Sequence, residues 1–415
     1  MNLISANRAL EIVLECAAPL GVERVTIREA LGRVLCEDIR SPRDIPGFDN
    51  SAMDGYAVRS ADAAGASEAS PVRLRVVDTI GAGRMPTVRV LPGTASRIMT
   101  GAAMPEGADA IVQLERTRQS GDVVELMADA PPRNFIRPRG EDLRLDELAL
   151  GAGTELGAAD IGMLASLNRS TVEVWRKPRV GIVATGDELV EVDQVPTGAQ
   201  VVNSSGYALA AAVIGAGAEP ILMPIARDRP ELIRQRLAQA FAFDVVLSTG
   251  GVSVGQFDYV SAELKRLGMR EMFHGVAQKP GKPLAFGTVG TKLLFGLPGN
   301  PVSTMVCFYL YALPALQKLG GRSRLGLAKV QVRCGADIRK SANLTEFVRV
   351  KVVREGDGLI ATATGSQSSG VLSTLSRANA LLIGPQEASM LRCGDYATVL
   401  LLDAGVVTMT EVGFD

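Results

Sequence analysis

One histidine, His274, stands in a chain of 415 residues. A multi-histidine metal site within one chain is therefore excluded, and a histidine-based triad would have to use that single residue. Cysteine is almost as scarce. Cys16, Cys36, Cys307, Cys334 and Cys393 are odd in number and scattered, with no C-x-x-C pair, which argues against a disulfide framework and a structural zinc site and reads as reduced, mostly packed thiols. No apolar run approaches the roughly 18 residues that a membrane span needs. The N-terminal MNLISANRALEIVLECAAPL is amphipathic, interrupted by Glu11 and Glu15, and lacks the basic start and unbroken apolar core of a secretory signal. A cytoplasmic location without a membrane partner is the expectation. Charge of one sign is missing too: 44 Lys plus Arg against 45 Asp plus Glu leave a net charge of -1, so there is no whole-chain field for nucleic acid. Any anion site must be local.

What the chain does have is length for roughly two to four domains of about 100 to 200 residues each. The first 45 or so residues read as helical: Ser5 is an N-cap before Ala6 to Cys16, and a second short helix is expected near Ile27 to Leu35. From Val72 to Ala128 short alternating stretches, VRLRVV, ADAIVQLE and DVVELMA, are separated by Gly and Pro turns and predict a β-rich unit. The Ala/Ser stretch from Ala61 to Ser70 reads as a loop. Beyond Pro138 the chain returns to helix at Ala158 to Leu167. After Pro178 strands alternate with helices: RVGIVATG, a helix around Tyr207 to Gly215, EPILMPI, a helix around Leu232 to Ala242, then FDVVLSTGG. That alternation predicts a parallel sheet covered on both faces. A helix at Thr304 to Leu319 precedes a last stretch of short strands, FVRVKVV and YATVLLL among them, whose natural form is a small barrel or sandwich.

Three strand ends carry candidate chemistry. In FDVVLSTGGVSVGQFD a buried strand ends at Ser248 and enters Thr249, Gly250 and Gly251, where missing Cβ atoms let backbone approach a ligand, with Ser253 just beyond. GIVATGDEL brings Thr185, Gly186, Asp187 and Glu188 to the same sheet edge. Either carboxylate alone is equally at home as a helix N-terminal cap. GLPGNPVS places Pro298, Gly299, Asn300 and Pro301 before a helix whose N-terminus, with Ser303, is suited to an anion; its blander role is a rigid turn and cap. QKPGKP holds Lys279 and Lys282 on a stiff turn, where a bound oxyanion would relieve their repulsion, though solvated surface lysines read the same way. Asp228 and Asp258 follow strands and, with Glu188, form a candidate Mg²⁺ set, since that ion takes carboxylate oxygens and bridges to phosphate. Outside this region DIPGFDNSAMDGYAVR is a Pro/Gly-bracketed loop rich in polar groups, Asp54 among them.

In order and over nearly the whole chain, these segments resemble the molybdopterin molybdenumtransferases, the MoeA family related to the E domain of gephyrin. The match is carried by DNSAMDGYA (49–57), IMTGA (98–102), RPRGED (137–142), TGDEL (185–189), STGGVSVGQFD (248–258), KPGKP (279–283) and GLPGNPVS (296–303). The resemblance implies an α/β multidomain subunit in four parts. These are an elongated helical dimerisation region (1–45 with 141–177), a β-rich domain (46–140), a central MogA-like doubly wound α/β domain (178–326) and a C-terminal small β-barrel (327–415). It further implies a homodimer, adenylylated molybdopterin and molybdate as substrates, Mg²⁺ as the assisting ion, and a molybdopterin adenylyltransferase and apo-molybdoenzymes as partners.

By the same resemblance Asp54, Thr100 and Asp142 belong to one half of the cleft, and Glu188, Asp228 and Asp258 are the acids of the other. Lys279 matches a family lysine, and Arg349 and Ser369 match positions facing molybdate or a phosphate. In two places the chain departs from the pattern. Gly275, beside His274, stands where some members carry a second basic residue, and Arg229 replaces the second acid of an RDD-like segment. Tungstate insertion and a catalytically silent scaffold are the competing readings. Asp54, Glu188, Asp258 and Lys279 together weigh against a scaffold, which has no physical need of converging charges.

Overall fold

The computed structural model describes residues 3–250, 259–356, 358–403 and 405. They fall into two compact units, Met1–Cys36 with Gly153–Ala158 and Thr171–Asp415, and Glu37–Ala152 with Ala159–Ser170.

The larger unit is built on a six-stranded sheet ordered Glu219–Leu222, Arg179–Ala184, Val245–Thr249, Lys292–Leu297, Ala285–Val289, Arg270–His274. The first four strands run parallel and the last two antiparallel. Side chains alternate between the faces, as a period of two demands. Val180, Ile182, Val245, Leu247, Leu293 and Phe295 pack with Leu209 and Val213 of the helix Ser204–Gly215 and with the helical stretch 301–319. Val183, Val246 and Leu294 meet Ile233 and Leu237 of the helix Pro230–Ala240 and Val260 and Leu264 of the helix Tyr259–Arg266. Burial on both faces is why these strands read as near-continuous apolar runs. The chain leaves the strand Arg179–Ala184 for one neighbour and returns to Val245 on the other side, so a crevice opens beyond Ala184 and Thr249, where doubly wound sheets bind ligands.

Local signals set the helix ends. Asn203 Oδ1 accepts the Gly206 N–H at 3.0 Å, and Pro230 and Pro301 stand in first turns, where no amide is needed. The stretch 301–319 is Pro301–Cys307, a π-helical turn Phe308–Ala312, and Leu313–Leu319; the wider turn falls just before Pro314, which cannot donate to the ordinary ladder.

At the N-terminus the helix Ala6–Cys16 begins where expected, with Ser5 Oγ accepting the Arg8 N–H at 3.2 Å. Its Ala9 and Val13 are buried in the same core as the stretch 301–319. The expected helix over Ile27–Leu35 does not form. Val22–Thr26 is instead a strand paired antiparallel with Thr171–Trp175, and Val34 and Leu35 make bridges to Glu155 and Val174. The β-branched Val22, Val25 and Thr26 suit the strand, and Gly32 at φ +72° turns the chain out of any helix.

Downstream, five strands close a barrel: Lys329–Cys334, Thr345–Glu355, Gly358–Ala363, Ala380–Gly384 and Tyr396–Leu401, sealed by the pairing of Thr345–Glu355 with Ala380–Gly384. Val332, Val348, Val350, Val399 and Leu382 fill it. The short strand Gln278–Lys279 adds in parallel to Thr345–Glu346, which ties the KPGKP turn to the barrel.

The smaller unit holds a second six-stranded sheet, ordered Ala110–Gln113, Gly55–Val58, Thr94–Ile98, Ser67–Ile80, Val123–Ala128, Thr117–Ser120. The Ala/Ser stretch expected as a loop holds the short helix Ser60–Ala63 and the start of the 14-residue strand Ser67–Ile80. Pairing along that strand outweighs the weak β preference of Ala and Ser. Gly55 is required by space, since a Cβ there would lie 2.1 Å from the Val112 carbonyl oxygen. The helix Ala158–Ser166 falls where the apolar stretch predicted it.

Candidate active site

Beyond the carboxyl edge of the parallel sheet lies a cleft of about 810 Å³. Four strand ends supply its walls: Thr185, Gly186 and Glu188; Asp228; Thr249 and Gly250; and Pro298, Gly299 and Asn300. Gly250 adopts φ +89°, and a Cβ there would lie 2.7 Å from the Thr185 carbonyl oxygen, so this loop is closed to any larger residue. Gly186, at φ +151°, lies under the Glu188 carboxylate, 2.4 Å from a built Cβ, a contact that the flexible glutamate side chain can relieve.

The acids cluster at one end. The Asp228 N–H donates to Asp187 Oδ1 at 3.1 Å, and the Asp187 N–H stands 3.4 Å from Asp228 Oδ2. Burial pushes the Asp228 carboxyl above its ordinary range, and the neighbouring Asp187 and Glu188 carboxylates push the same way, against the backbone hydrogen bond. Arg227, exposed, spends its guanidinium on the Asp187 and Leu189 carbonyls at 2.9 and 3.0 Å and holds the turn rather than the carboxylates. Among the described residues no three His, Cys, Asp or Glu side chains form a ready metal cage.

At another wall stands the start of the helix Ser204–Gly215. Asn203, Ser204 and Ser205 line the cleft, and the Nδ2 of the buried Asn203 has no hydrogen-bond partner. The sequence did not single out these three or Gly370. A polar cap before an apolar helical run was legible at Asn203, but nothing in the sequence shows that the cap faces a cleft.

The barrel contributes through the loop 366–370. Asn300 Nδ2 donates to Ser369 Oγ at 3.0 Å, the Val302 N–H donates to the Ser369 carbonyl at 3.2 Å, and Gly370 lines the cleft. Arg349 lies beneath this loop, fully buried. Its Nε donates to Thr374 Oγ1 at 2.8 Å and its Nη2 to the Ser366 and Ser368 carbonyls at 2.8 and 3.1 Å, while Nη1 has no partner. Burial holds this guanidinium below its usual range. Lys279 pairs with Glu346 at 3.1 Å and with Ser341 Oγ at 3.1 Å, and Lys282 is exposed on the same turn. Ser248 and Ser303 are buried behind the wall, Ser248 Oγ lying 3.4 Å from the Phe295 carbonyl. Gly251, Ser253 and Asp258 lie outside the described residues.

In the smaller unit Asp54 precedes the strand Gly55–Val58 and Thr100 follows its neighbour Thr94–Ile98, so sheet pairing brings them together. Asp54 Oδ1 accepts both the backbone N–H and the hydroxyl of Thr100 at 2.7 Å. These two bonds, the backbone one first, hold the Asp54 carboxyl below its ordinary range. Asp142 is exposed in a turn whose N–H donates to the Ile45 carbonyl at 3.0 Å.

A doubly wound sheet with acids and glycine turns at its carboxyl edge, joined to a small barrel, defines the class of molybdopterin-binding proteins once three matches along the chain are added. Residues 4–168 match the MoeA N-terminal region (domain I and II), 181–318 a probable molybdopterin binding domain, and 331–402 the MoeA C-terminal region (domain IV). A molybdopterin molybdenumtransferase from Nostoc is 39% identical over 96% of this chain and 93% of its own. One from Staphylococcus epidermidis is 31% identical over 97% and 96%. The crystal structure of a molybdopterin biosynthesis MoeA protein from Pyrococcus horikoshii superposes with a TM-score of 0.82 at 32% identity, covering 97% of this chain and all of that one. The chain belongs to the molybdopterin molybdenumtransferases, the MoeA family, transferases of molybdenum-cofactor synthesis.

Proposed function

We propose that this member of the family inserts molybdate into adenylylated molybdopterin with the assistance of Mg²⁺, releasing AMP and the molybdenum cofactor, and that it does so as a cytoplasmic homodimer. The observation that carries the reading is the convergence of Asp187, Glu188 and Asp228 at the sheet edge that also bears the Thr185 and Gly250 turns.

The donor set fits Mg²⁺. Asp228 is held above the ordinary carboxylate range by burial and by its acidic neighbours, a strain that a divalent cation relieves. Mg²⁺ needs no all-protein cage, since it binds through one or two carboxylates and completes its shell with waters and substrate phosphates. Glu188 and Asp228 are the residues that would hold it, with Asp258 the third acid assigned by resemblance. When bound, the ion neutralises phosphate charge in the bond that breaks.

The chain's own groups do the rest. The amides of Ser204 and Ser205, in the first turn of a 12-residue helix, and Asn203 Nδ2 offer donors to a phosphate. Lys282, with Lys279 beside it, supplies positive charge to molybdate on a turn whose Pro283 lines the cleft. Arg349 has an unpartnered Nη1 amino group in a fully buried guanidinium, a costly state that an oxyanion reaching the Ser366–Ser369 loop would end. Asp54 and Asp142 are assigned to the half of the cleft contributed by the partner subunit, and the low range of Asp54 keeps it ionised throughout neutral pH.

The test is AMP release by purified protein given adenylylated molybdopterin and Mg²⁺, with and without molybdate. Molybdate-dependent AMP release, with product that reconstitutes an apo-molybdoenzyme, is expected. Tight substrate binding without AMP release would replace this reading with that of a binding protein.

A further inference from the structure

Beneath the KPGKP turn lies a polar cluster that the site described above does not use. Gln278, Cys307 and Tyr311 are each at most 1% exposed. Gln278 Nε2 donates to the Pro280 carbonyl at 3.1 Å and lies 3.6 Å from Cys307 Sγ; Cys307 Sγ in turn lies 3.7 Å from the Gly281 carbonyl. The Tyr311 hydroxyl donates to Gln278 Oε1. Gly281 is pressed onto this cluster at φ +94°, with 2.4 Å from a built Cβ to Cys307 Sγ and 2.8 Å to Gln278 Nε2.

An interior that needed only to be filled would use apolar side chains, because buried polar groups cost free energy unless every one is satisfied. Here the bonds run to the backbone of the two residues between Lys279 and Lys282. Their other end is anchored in the helical stretch 301–319, whose first residue Pro301 lines the cleft as Pro283 does. One buried cluster therefore fixes two walls of the cleft to each other.

We propose that Gln278, Cys307 and Tyr311 are positioning residues that set the oxyanion-binding turn 279–283 against the start of the helical stretch at Pro301, and so set the affinity for molybdate. The proposal rests on the reading that this turn holds molybdate. Tyr311 is the keystone, since its hydroxyl fixes which way the Gln278 amide points, and hence that Nε2 rather than Oε1 faces the Pro280 carbonyl. Cys307 remains a thiol, because burial pushes its pKa far up.

Three proteins decide the matter: wild type, Tyr311→Phe, and Gln278→Leu with Tyr311→Phe. Each is measured for molybdate binding by calorimetry, for KM and kcat in AMP release, and for Tm. Tyr311→Phe keeps the ring and frees the amide to turn; it is expected to weaken molybdate binding and raise its KM about tenfold, the effect of roughly one lost buried hydrogen bond. Its kcat at saturating molybdate is expected to stay within about twofold, since the acids are untouched. The double variant removes both ends of the Tyr311–Gln278 bond, with the Pro280 carbonyl losing its donor, and is expected to recover part of the lost Tm without recovering molybdate affinity. Unchanged affinity in Tyr311→Phe, or affinity that returns together with Tm in the double variant, would show a purely structural cluster and overturn the proposal. A wild type that neither binds molybdate nor responds to it, or whose binding Lys282→Ala leaves unchanged, would overturn the assignment of the turn itself.

Discussion

Lys279 Nζ stands 3.1 Å from Glu346 Oε1, a carboxylate whose side chain is only 4% exposed and which also accepts the Ser341 N–H at 2.7 Å. The lysine assigned to the substrate is thus also the counter-charge of a nearly buried acid. Lys279→Ala is expected to lower stability by about 1–3 kcal/mol, less than for a fully buried pair because the ammonium remains nearly half exposed. Adding Glu346→Gln should restore most of this in urea unfolding. Turnover that stays low in the restored double variant measures what Lys279 does for catalysis; turnover that recovers with stability would remove it from the site.

The Asp54–Thr100 pair makes a prediction in pH. A carboxyl held below its ordinary range contributes stability above that range, and the contribution is lost as pH falls through the lowered value. Thr100→Val removes the hydroxyl bond and leaves the backbone one, so the Asp54 carboxyl should move part of the way back up when titrated by NMR. Stability at neutral pH should barely change, because the pair is exposed. An unmoved titration would show that the backbone bond alone sets it.

Asp228 carries the opposite sign. Its carboxyl is held above the ordinary range, so the folded state binds the proton more tightly, and stability falls as pH rises from the unfolded value through the folded one. Asp228→Asn should therefore raise Tm slightly at neutral pH while cutting kcat/KM by roughly 100-fold or more. Wild type, but not the variant, should gain Tm on addition of Mg²⁺. Equal gains in both would take Asp228 out of the ion's shell.

Gly250→Ala tests the sheet-edge turn. The added Cβ meets the Thr185 carbonyl and hydroxyl at 2.7 and 2.9 Å, at φ +89°. A loss of about 1–3 kcal/mol is expected from strain and displacement, with weaker binding of molybdopterin substrate by fluorescence quenching. Full binding with lowered stability would make this glycine structural only.

Much of this protein was determined by its sequence alone. RVGIVA, VVLST and KLLFGL are apolar at nearly every position because both faces of a parallel strand are covered, and that requirement is visible without coordinates. Ser5 and Pro230 mark helix starts by local chemistry alone. The ordered motifs from DNSAMDGYA to GLPGNPVS identified the family and named Thr185, Gly186, Glu188, Gly250, Pro298, Gly299 and Asn300, and the acid after a strand in RDRP added Asp228; all of them line one cleft.

Other features were decided only by tertiary structure, because they depend on partners distant in the chain. The stretch Ile27–Leu35 has a helical pattern, yet Val22–Thr26 found a partner in Thr171–Trp175 almost 150 residues away, and the pairing set the course of the chain that follows. Arg349 reads as a ligand-facing cation, but the barrel buries it under the loop 366–369, where it binds carbonyls. Asn203 caps a helix, and only the fold shows that this cap lines the cleft. Local sequence specifies what each turn and cap can do; which of them face the same space is set by strand order and by the packing of helices onto it.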